Sequence, residues 1–128
     1  MSHYNYQGGC HCRDTRFNIN LSQALESMQL TSCNCSICEK TGYLHLIIAK
    51  SQFNLESQWN KLSCYQFNQK IAKHYFCKRC GIKSFYQPRS HPDGISINIR
   101  CIDGFDKLNI NYSEFDGKNW QKNIHTIT

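Results

Sequence analysis

The chain has 128 residues, a length at which one hydrophobic core is usual, so residues 1–128 are predicted to form a single domain. A composition of 40% hydrophobic residues with seven glycines and two prolines excludes low-complexity and collagen-like chains. The formal net charge of +6 comes from scattered lysines and arginines, which argues against a dense nucleic-acid-binding arm.

The nine cysteines are the most unusual part of the composition. No apolar run is long enough for a secretory leader or for a membrane helix of about 18 residues, so we expect a cytoplasmic protein. In that reducing compartment, an odd number of cysteines at short, paired spacings indicates metal binding rather than a disulfide framework.

The first cysteines in the chain follow two glycines. Cys10 and Cys12 would point to the same side of an extended segment about 6.6 Å apart, so both sulfurs can reach one ion. Gly8 and Gly9 are expected to supply the positive φ angles of a tight metal-binding turn. His11 would face away, and is predicted to be a solvent-facing or packed residue rather than a ligand.

Apolar patterning predicts the next elements. Alternation indicates a strand over residues 15–21, and residues 22–30 are expected to form a turn of helix or a loop capped by Ser22. The continuous apolar run over residues 43–49 is typical of a strand that is covered on both faces.

Three cysteines, Cys33, Cys35 and Cys38, lie just before that strand. Their CxCxxC spacing lets three thiolates surround one soft cation such as zinc. Structural zinc usually has four protein ligands, so a local trio predicts a fourth position that is open to water or substrate. This trio is the candidate reactive centre.

The later cysteines complete a second set. Two strand-like runs over residues 64–67 and 70–76 predict a hairpin, whose second strand leads into the CxxCG knuckle of Cys77 and Cys80. With Cys10 and Cys12, these thiols would make the four ligands of a closed structural zinc site that bridges a long loop.

The remainder of the chain continues the β pattern. A strand is predicted to end at residues 85–88, a turn is predicted at residues 91–94, and alternation over residues 95–101 and 108–112 predicts two further strands. Cys64 and Cys101 have no close cysteine partner and are predicted to pack in the core rather than to bind metal or act as nucleophiles.

Two kinds of side chain have roles that the spacing leaves open. A substrate carboxylate could be bound by Lys40, Lys73, Arg79 or Arg100, none of which is singled out. His45 and His74 are either proton shuttles or ordinary packed or surface histidines.

Five segments in order resemble one known family: GGCHC at 8–12, CNCSIC at 33–38, HYFCKRCGI at 74–82, NIRCIDGFD at 98–106 and FDGKNW at 115–120. The chain is similar to the glutathione-dependent formaldehyde-activating enzymes. The resemblance implies a mainly β fold, the β-tent of packed antiparallel sheets, related to the folds of a zinc-binding guanine-nucleotide exchange chaperone and of centromere protein V. It also implies two Zn²⁺ per chain: a structural ion at Cys10, Cys12, Cys77 and Cys80, and a catalytic-type ion at Cys33, Cys35 and Cys38.

The activity that this resemblance implies is that of a zinc-dependent carbon–sulfur lyase, which forms or cleaves a thiol–aldehyde adduct with a small thiol such as glutathione as its partner. A thiol in the open position would lose its proton readily and attack a carbonyl carbon. Two alternatives remain open: a non-catalytic zinc module that binds nucleic acid or protein, and a thiol carrier without turnover. Nucleic acid is the less favoured partner, and no membrane partner is expected.

Overall fold

The computed structural model describes residues 4–33, 36–67 and 72–115, without the side chains at positions 33, 36 and 113–115. The described residues are mainly β, as predicted, with one short helix, α1 (Ser36–Thr41). No helix among them is long and apolar enough to cross a membrane. The strands are β1 (Tyr4–Gly9), β2 (Arg16–Leu21), β3 (Gln29–Cys33), β4 (Leu44–Ala49), β5 (Phe53–Leu55), β6 (Leu62–Tyr65), β7 (Lys73–Cys77), β8 (Phe85–Gln87), β9 (Gly94–Asn98) and β10 (Asn111–Phe115).

The strands form two sheets. The small sheet has the order β1-β2-β5, and the large sheet has the order β10-β3-β4-β9-β8-β7-β6. The pairs in both sheets are antiparallel, as predicted, except that β10 runs parallel to β3. The antiparallel β6–β7 pair, in which Leu62 faces Cys77 and Tyr65 faces His74, agrees with the predicted hairpin. Its strands begin at residues 62 and 73 rather than at residues 64 and 70, and residues 68–71 lie outside the described part of the chain.

The main core is an apolar cluster built by both sheets. Strand β2 contributes Phe17 and Ile19, both 0% exposed, and the large sheet contributes alternate residues of its central strands. Burying such a side chain contributes roughly 1.5–3 kcal/mol, so this contact holds the sheets together. The contributors from β4, β8 and β9 are Leu44, Leu46, Ile48, Phe85, Ile95 and Ile97.

The opposite face of the large sheet is also covered, and it is polar. The prediction that residues 43–49 form a strand buried on both sides is confirmed by β4. In β9 every residue is buried, including Ser96 and Asn98, which alternation alone would have turned toward solvent. These polar side chains are tolerated because they are bonded: Ser96 Oγ lies 3.0 Å from His45 Nδ1, and Asn98 Nδ2 donates to the Lys83 carbonyl at 3.1 Å.

Several predicted boundaries differ from the structure. A single 3₁₀ turn (Leu25–Ser27) follows Ala24, so Ser22 is not its cap. Strand β9 ends at Asn98, and the next three residues form a 3₁₀ turn in which Asn98 Oδ1 accepts the Arg100 N–H at 3.2 Å. This side-chain bond competes with the sheet ladder and ends the strand before Cys101.

The two glycines before Cys10 have a different role from the one predicted. Neither has a positive φ. A Cβ on Gly8 would lie 2.5 Å from the Cys101 carbonyl oxygen, and one on Gly9 would overlap the Thr15 carbonyl oxygen. Glycine is required here because another piece of backbone approaches closely, not because of the φ angle.

Candidate metal centre

Four cysteines from distant parts of the chain meet in one cluster. The sulfurs of Cys10, Cys12, Cys77 and Cys80 all lie within 4.8 Å of one another. The Cys10–Cys12 Sγ distance is 3.7 Å and the Cys12–Cys77 Sγ distance is 3.5 Å. Tetrahedral zinc with Zn–S bonds of about 2.3 Å separates its sulfurs by about 3.8 Å. The donor set and its spacing therefore fit one metal ion.

Two tight turns present these sulfurs. In the first, Cys10 accepts hydrogen bonds at both its carbonyl and its sulfur: Arg13 N–H donates to the carbonyl at 3.3 Å, and Thr15 N–H donates to the sulfur at 3.2 Å. Arg13 adopts a positive φ of 72°, which reverses the chain after Cys12. The two bonds to Cys10 fix the position of its sulfur in this turn.

The second turn follows β7. The N–H groups of Arg79 and Cys80 donate to Cys77 Sγ at 3.4 and 3.5 Å. Gly81 has a φ of 79° and donates its N–H to the Cys77 carbonyl at 2.9 Å. The prediction that glycine relieves strain after the second cysteine of the knuckle agrees with this left-handed conformation.

Cys12, Cys77 and Cys80 differ in how readily they ionise. Burial raises the pKa of Cys80, but hydrogen bonds from backbone groups and neighbouring thiols outweigh it and bring that pKa to about 6. A backbone bond at Asp14 lowers the pKa of Cys12, yet burial and proton sharing with the other thiols bring it to about 12. The pKa of Cys77 is lowered because its bonds to backbone N–H groups outweigh its burial. Of these three thiols, Cys77 and Cys80 therefore ionise more readily than Cys12.

The second predicted set lies only partly within the described residues. Cys33 ends β3, but its side chain is not described, and Cys35 lies outside the described residues. Cys38 is described: it lies in α1, is 3% exposed, and forms a small buried cluster with Tyr43 and Tyr86. Convergence of the three sulfurs on one ion remains a prediction.

Buried polar groups surround the Cys38 cluster on the covered face of the large sheet. His45 Nδ1 lies 3.0 Å from Ser96 Oγ and 3.2 Å from the Tyr86 hydroxyl. The His45 ring also packs on Tyr43, with ring centroids 4.5 Å apart. His45 is therefore packed and hydrogen bonded beside the cluster, and its role as a proton shuttle stays a prediction.

His74 belongs to the same buried region. Its Nδ1 lies 2.7 Å from Lys83 Nζ, and its ring stacks between Phe67 and Tyr86, with centroid distances of 5.4 and 4.8 Å. Sequence reasoning did not single out Lys83, Tyr43 or Tyr86, because a tyrosine or lysine within an apolar run carries no spacing signal. Only the contact of β4, β8 and β9 brings them together.

The remaining candidates lie elsewhere. His11 is exposed, as predicted. Cys64 is also exposed, so the prediction that Cys64 packs in the core is wrong. It lies in β6, an edge strand of the large sheet in which only Leu62 is buried. Cys101 packs against the core, and burial raises its pKa to about 11. The four cations considered for a substrate carboxylate are all exposed: Lys40, Lys73, Arg79 and Arg100.

Comparison with known proteins agrees with this architecture. A crystal structure of a Rhodobacter sphaeroides protein, a structural genomics target, is similar with a TM-score of 0.72 and 27% sequence identity, over 84% of this chain and 99% of that one. The family model for the glutathione-dependent formaldehyde-activating enzyme matches residues 5–118. Since that match spans most of the sequence, this chain belongs to the glutathione-dependent formaldehyde-activating enzyme family.

Proposed function

We propose that the chain is a zinc-dependent carbon–sulfur lyase that joins a small thiol such as glutathione to an aldehyde, and cleaves the adduct in reverse. The observation that carries the proposal is the position of Cys38, buried beside Tyr43 and Tyr86 in a polar region separate from the apolar core. The family to which the chain belongs is named for chemistry with glutathione and formaldehyde.

The two cysteine sets have different roles in this proposal, one structural and one reactive. Cys10, Cys12, Cys77 and Cys80 hold a structural zinc, because four protein ligands close the coordination sphere. Cys33, Cys35 and Cys38 hold the reactive zinc, which supplies Lewis-acid chemistry by favouring the thiolate form of a bound thiol.

Proton movement is assigned to the residues around Cys38. The substrate sulfur bonds to the carbonyl carbon, the thiol gives up its proton, and the carbonyl oxygen gains one, so that the product is a hydroxyalkyl thioether. His45 can hold the proton between these events, because imidazole titrates near neutral pH and its Nδ1 contacts the Tyr86 hydroxyl at 3.2 Å. In the reverse direction the same groups return the proton to sulfur.

The test is an exchange measurement. NMR with ¹³C-formaldehyde and glutathione reports the rate of exchange between formaldehyde hydrate and the hydroxymethyl thioether. Zinc-loaded protein at catalytic concentration should accelerate that exchange, and Cys38→Ser should abolish the acceleration. Cys64→Ser is the matched control, because Cys64 is exposed and belongs to neither set; it should behave as wild type. If the wild-type protein produces no acceleration, the proposal for this thiol and aldehyde is wrong.

A further inference from the structure

A lysine side chain is buried beside the Cys38 cluster. Lys83 lies just before β8, in the segment that follows the CxxCG knuckle, and is only 3% exposed. Its Nζ lies 2.7 Å from His74 Nδ1. When Lys83 carries its charge, the ammonium can only donate, so His74 Nδ1 accepts this bond and the ring proton of His74 lies on Nε2.

The faces of two aromatic rings also contact the Lys83 amine. Lys83 Nζ lies 4.1 Å from the centroid of the Tyr86 ring and 4.8 Å from that of Tyr43. These distances are typical of cation–π contacts, which favour the charged ammonium. The same two rings form the buried cluster with Cys38, so the ammonium and the cysteine share their aromatic neighbours.

Tyr43 is the neighbour that Lys83 and Cys38 share most directly, since its ring lies 4.8 Å from Lys83 Nζ and packs in the buried cluster of Cys38. At an effective dielectric constant of 20, two unit charges interact by about 1.4 kcal/mol out to about 12 Å, which is a tenfold effect on affinity.

Stability alone is a weak reason for a lysine at this position. Moving an ammonium out of water is unfavourable, and a well-packed apolar residue of similar volume is often no less stabilising. The charge has a clear use if an anion is bound nearby, because a buried cation favours anionic over neutral ligands.

We propose that Lys83 is a positioning residue that makes the Cys38 centre select ligands that bind as anions, in particular thiolates over neutral donors. This inference rests on the proposed function, since it requires the trio to hold a metal with an open position. To the proposed function it adds the charge of the preferred ligand and the identity of the residue that selects this ligand.

The experiment compares anionic and neutral ligands on Co²⁺-substituted full-length protein. The probes are 2-mercaptoethanol at pH 8, which binds as a thiolate, and imidazole, which binds as a neutral donor; both are followed by the cobalt absorption spectrum. The variants are Lys83→Met, which removes charge and donor, Lys83→Gln, which keeps an N–H donor for His74, and Lys83→Arg, which keeps the charge. The exposed Lys61→Met is the matched control.

We expect Lys83→Met and Lys83→Gln each to weaken thiolate binding about tenfold while imidazole affinity changes less than twofold. Lys83→Arg and Lys61→Met should retain the selectivity of the wild type. An equal loss of affinity for both ligands would overturn the inference, because Lys83 would then act through packing. Wild-type selectivity in Lys83→Gln would also overturn it, because Lys83 would then act through its hydrogen bond. Unchanged selectivity in both neutral variants also overturns it. If the wild-type protein shows no thiol response, the proposed open centre itself fails.

Discussion

The two cysteine sets differ in how the chain assembles them. The set of Cys10, Cys12, Cys77 and Cys80 joins two turns, with Cys12 and Cys77 separated by 65 positions. The other set falls within six consecutive residues, from the last residue of β3 into α1. A metal ion held by the first set would close a large part of the fold, whereas one held by the second set would add almost no constraint to it.

The difference has an energetic consequence. Closing a flexible loop of 65 residues costs about 2.3 kcal/mol more chain entropy than closing one of about five residues. A ligand cluster that holds the long loop closed should contribute far more to folding than a local one. We therefore expect stability to depend on the four-cysteine cluster and activity to depend on the trio.

The largest effect should come from Cys80→Ser. Loss of one of four ligands weakens a site that joins β1 to β7, and we expect the free energy of unfolding to fall by about 3–5 kcal/mol. Urea unfolding in zinc-containing buffer measures this change. Cys38→Ser is the comparison, and it should cost at least about 2 kcal/mol less, because its set closes no long loop. Equal losses in the two variants would show that the division into a structural and a reactive set is wrong.

A smaller effect should come from the backbone beside the closed cluster. Gly9→Ala places a methyl group against the Thr15 carbonyl in the turn that carries Cys10, and we expect a loss of about 2–3 kcal/mol. Gly42→Ala is the matched change near the trio. It meets no atom within 4 Å but has a φ of +63°, so its cost should be about 1 kcal/mol. Thermal unfolding of both variants checks this order, and a larger loss for Gly42→Ala would contradict it.

The smallest effect should come from an ion pair that belongs to neither cysteine set. Arg16 donates two hydrogen bonds to Asp103, at 2.5 and 3.2 Å, with side-chain exposures of 20% and 52%. Because Asp103 is half exposed, Asp103→Asn should cost only about 0.5–1 kcal/mol. The exposed Asp106→Asn is a matched control and should change stability by less than about 0.5 kcal/mol.

The pH dependence of this pair has a definite sign. The hydrogen bond from Arg16 lowers the pKa of Asp103 below its ordinary value. A carboxyl with a lowered folded-state pKa stabilises the protein above its unfolded-state pKa of about 3.9, and that contribution is lost as the pH falls through the folded-state value. The stability difference between wild type and Asp103→Asn should therefore be constant near pH 7 and shrink below about pH 4. A difference that grows on acidification would contradict this assignment.

Local patterns predicted the parts of the fold that depend on local residues. Strand β2 follows from alternation over residues 15–21, and the buried strand β4 follows from its apolar run. Cysteine spacing was enough to select the four residues whose sulfurs meet. In each case the signal lies in residues that are close in sequence or in the chemistry of one residue type.

The features that sequence did not predict depend on distant partners. The parallel β10–β3 pair joins residues about 80 positions apart, and the burial of Ser96 depends on Tyr43 covering its face of the sheet. Lys83 is buried because two tyrosines and His74, from three other strands or loops, surround it. No periodicity within one segment encodes such contacts.

The central claim is that the chain carries two metal centres, one closed and one open, and metal counting tests it most directly. Elemental analysis of untagged, zinc-saturated protein should give two zinc ions per chain. The Cys33→Ser, Cys35→Ser, Cys38→Ser triple variant should remain folded and retain one, held by the four cysteines whose sulfurs lie within 4.8 Å of one another. A wild-type count near one, or an unchanged count in the triple variant, would contradict the account.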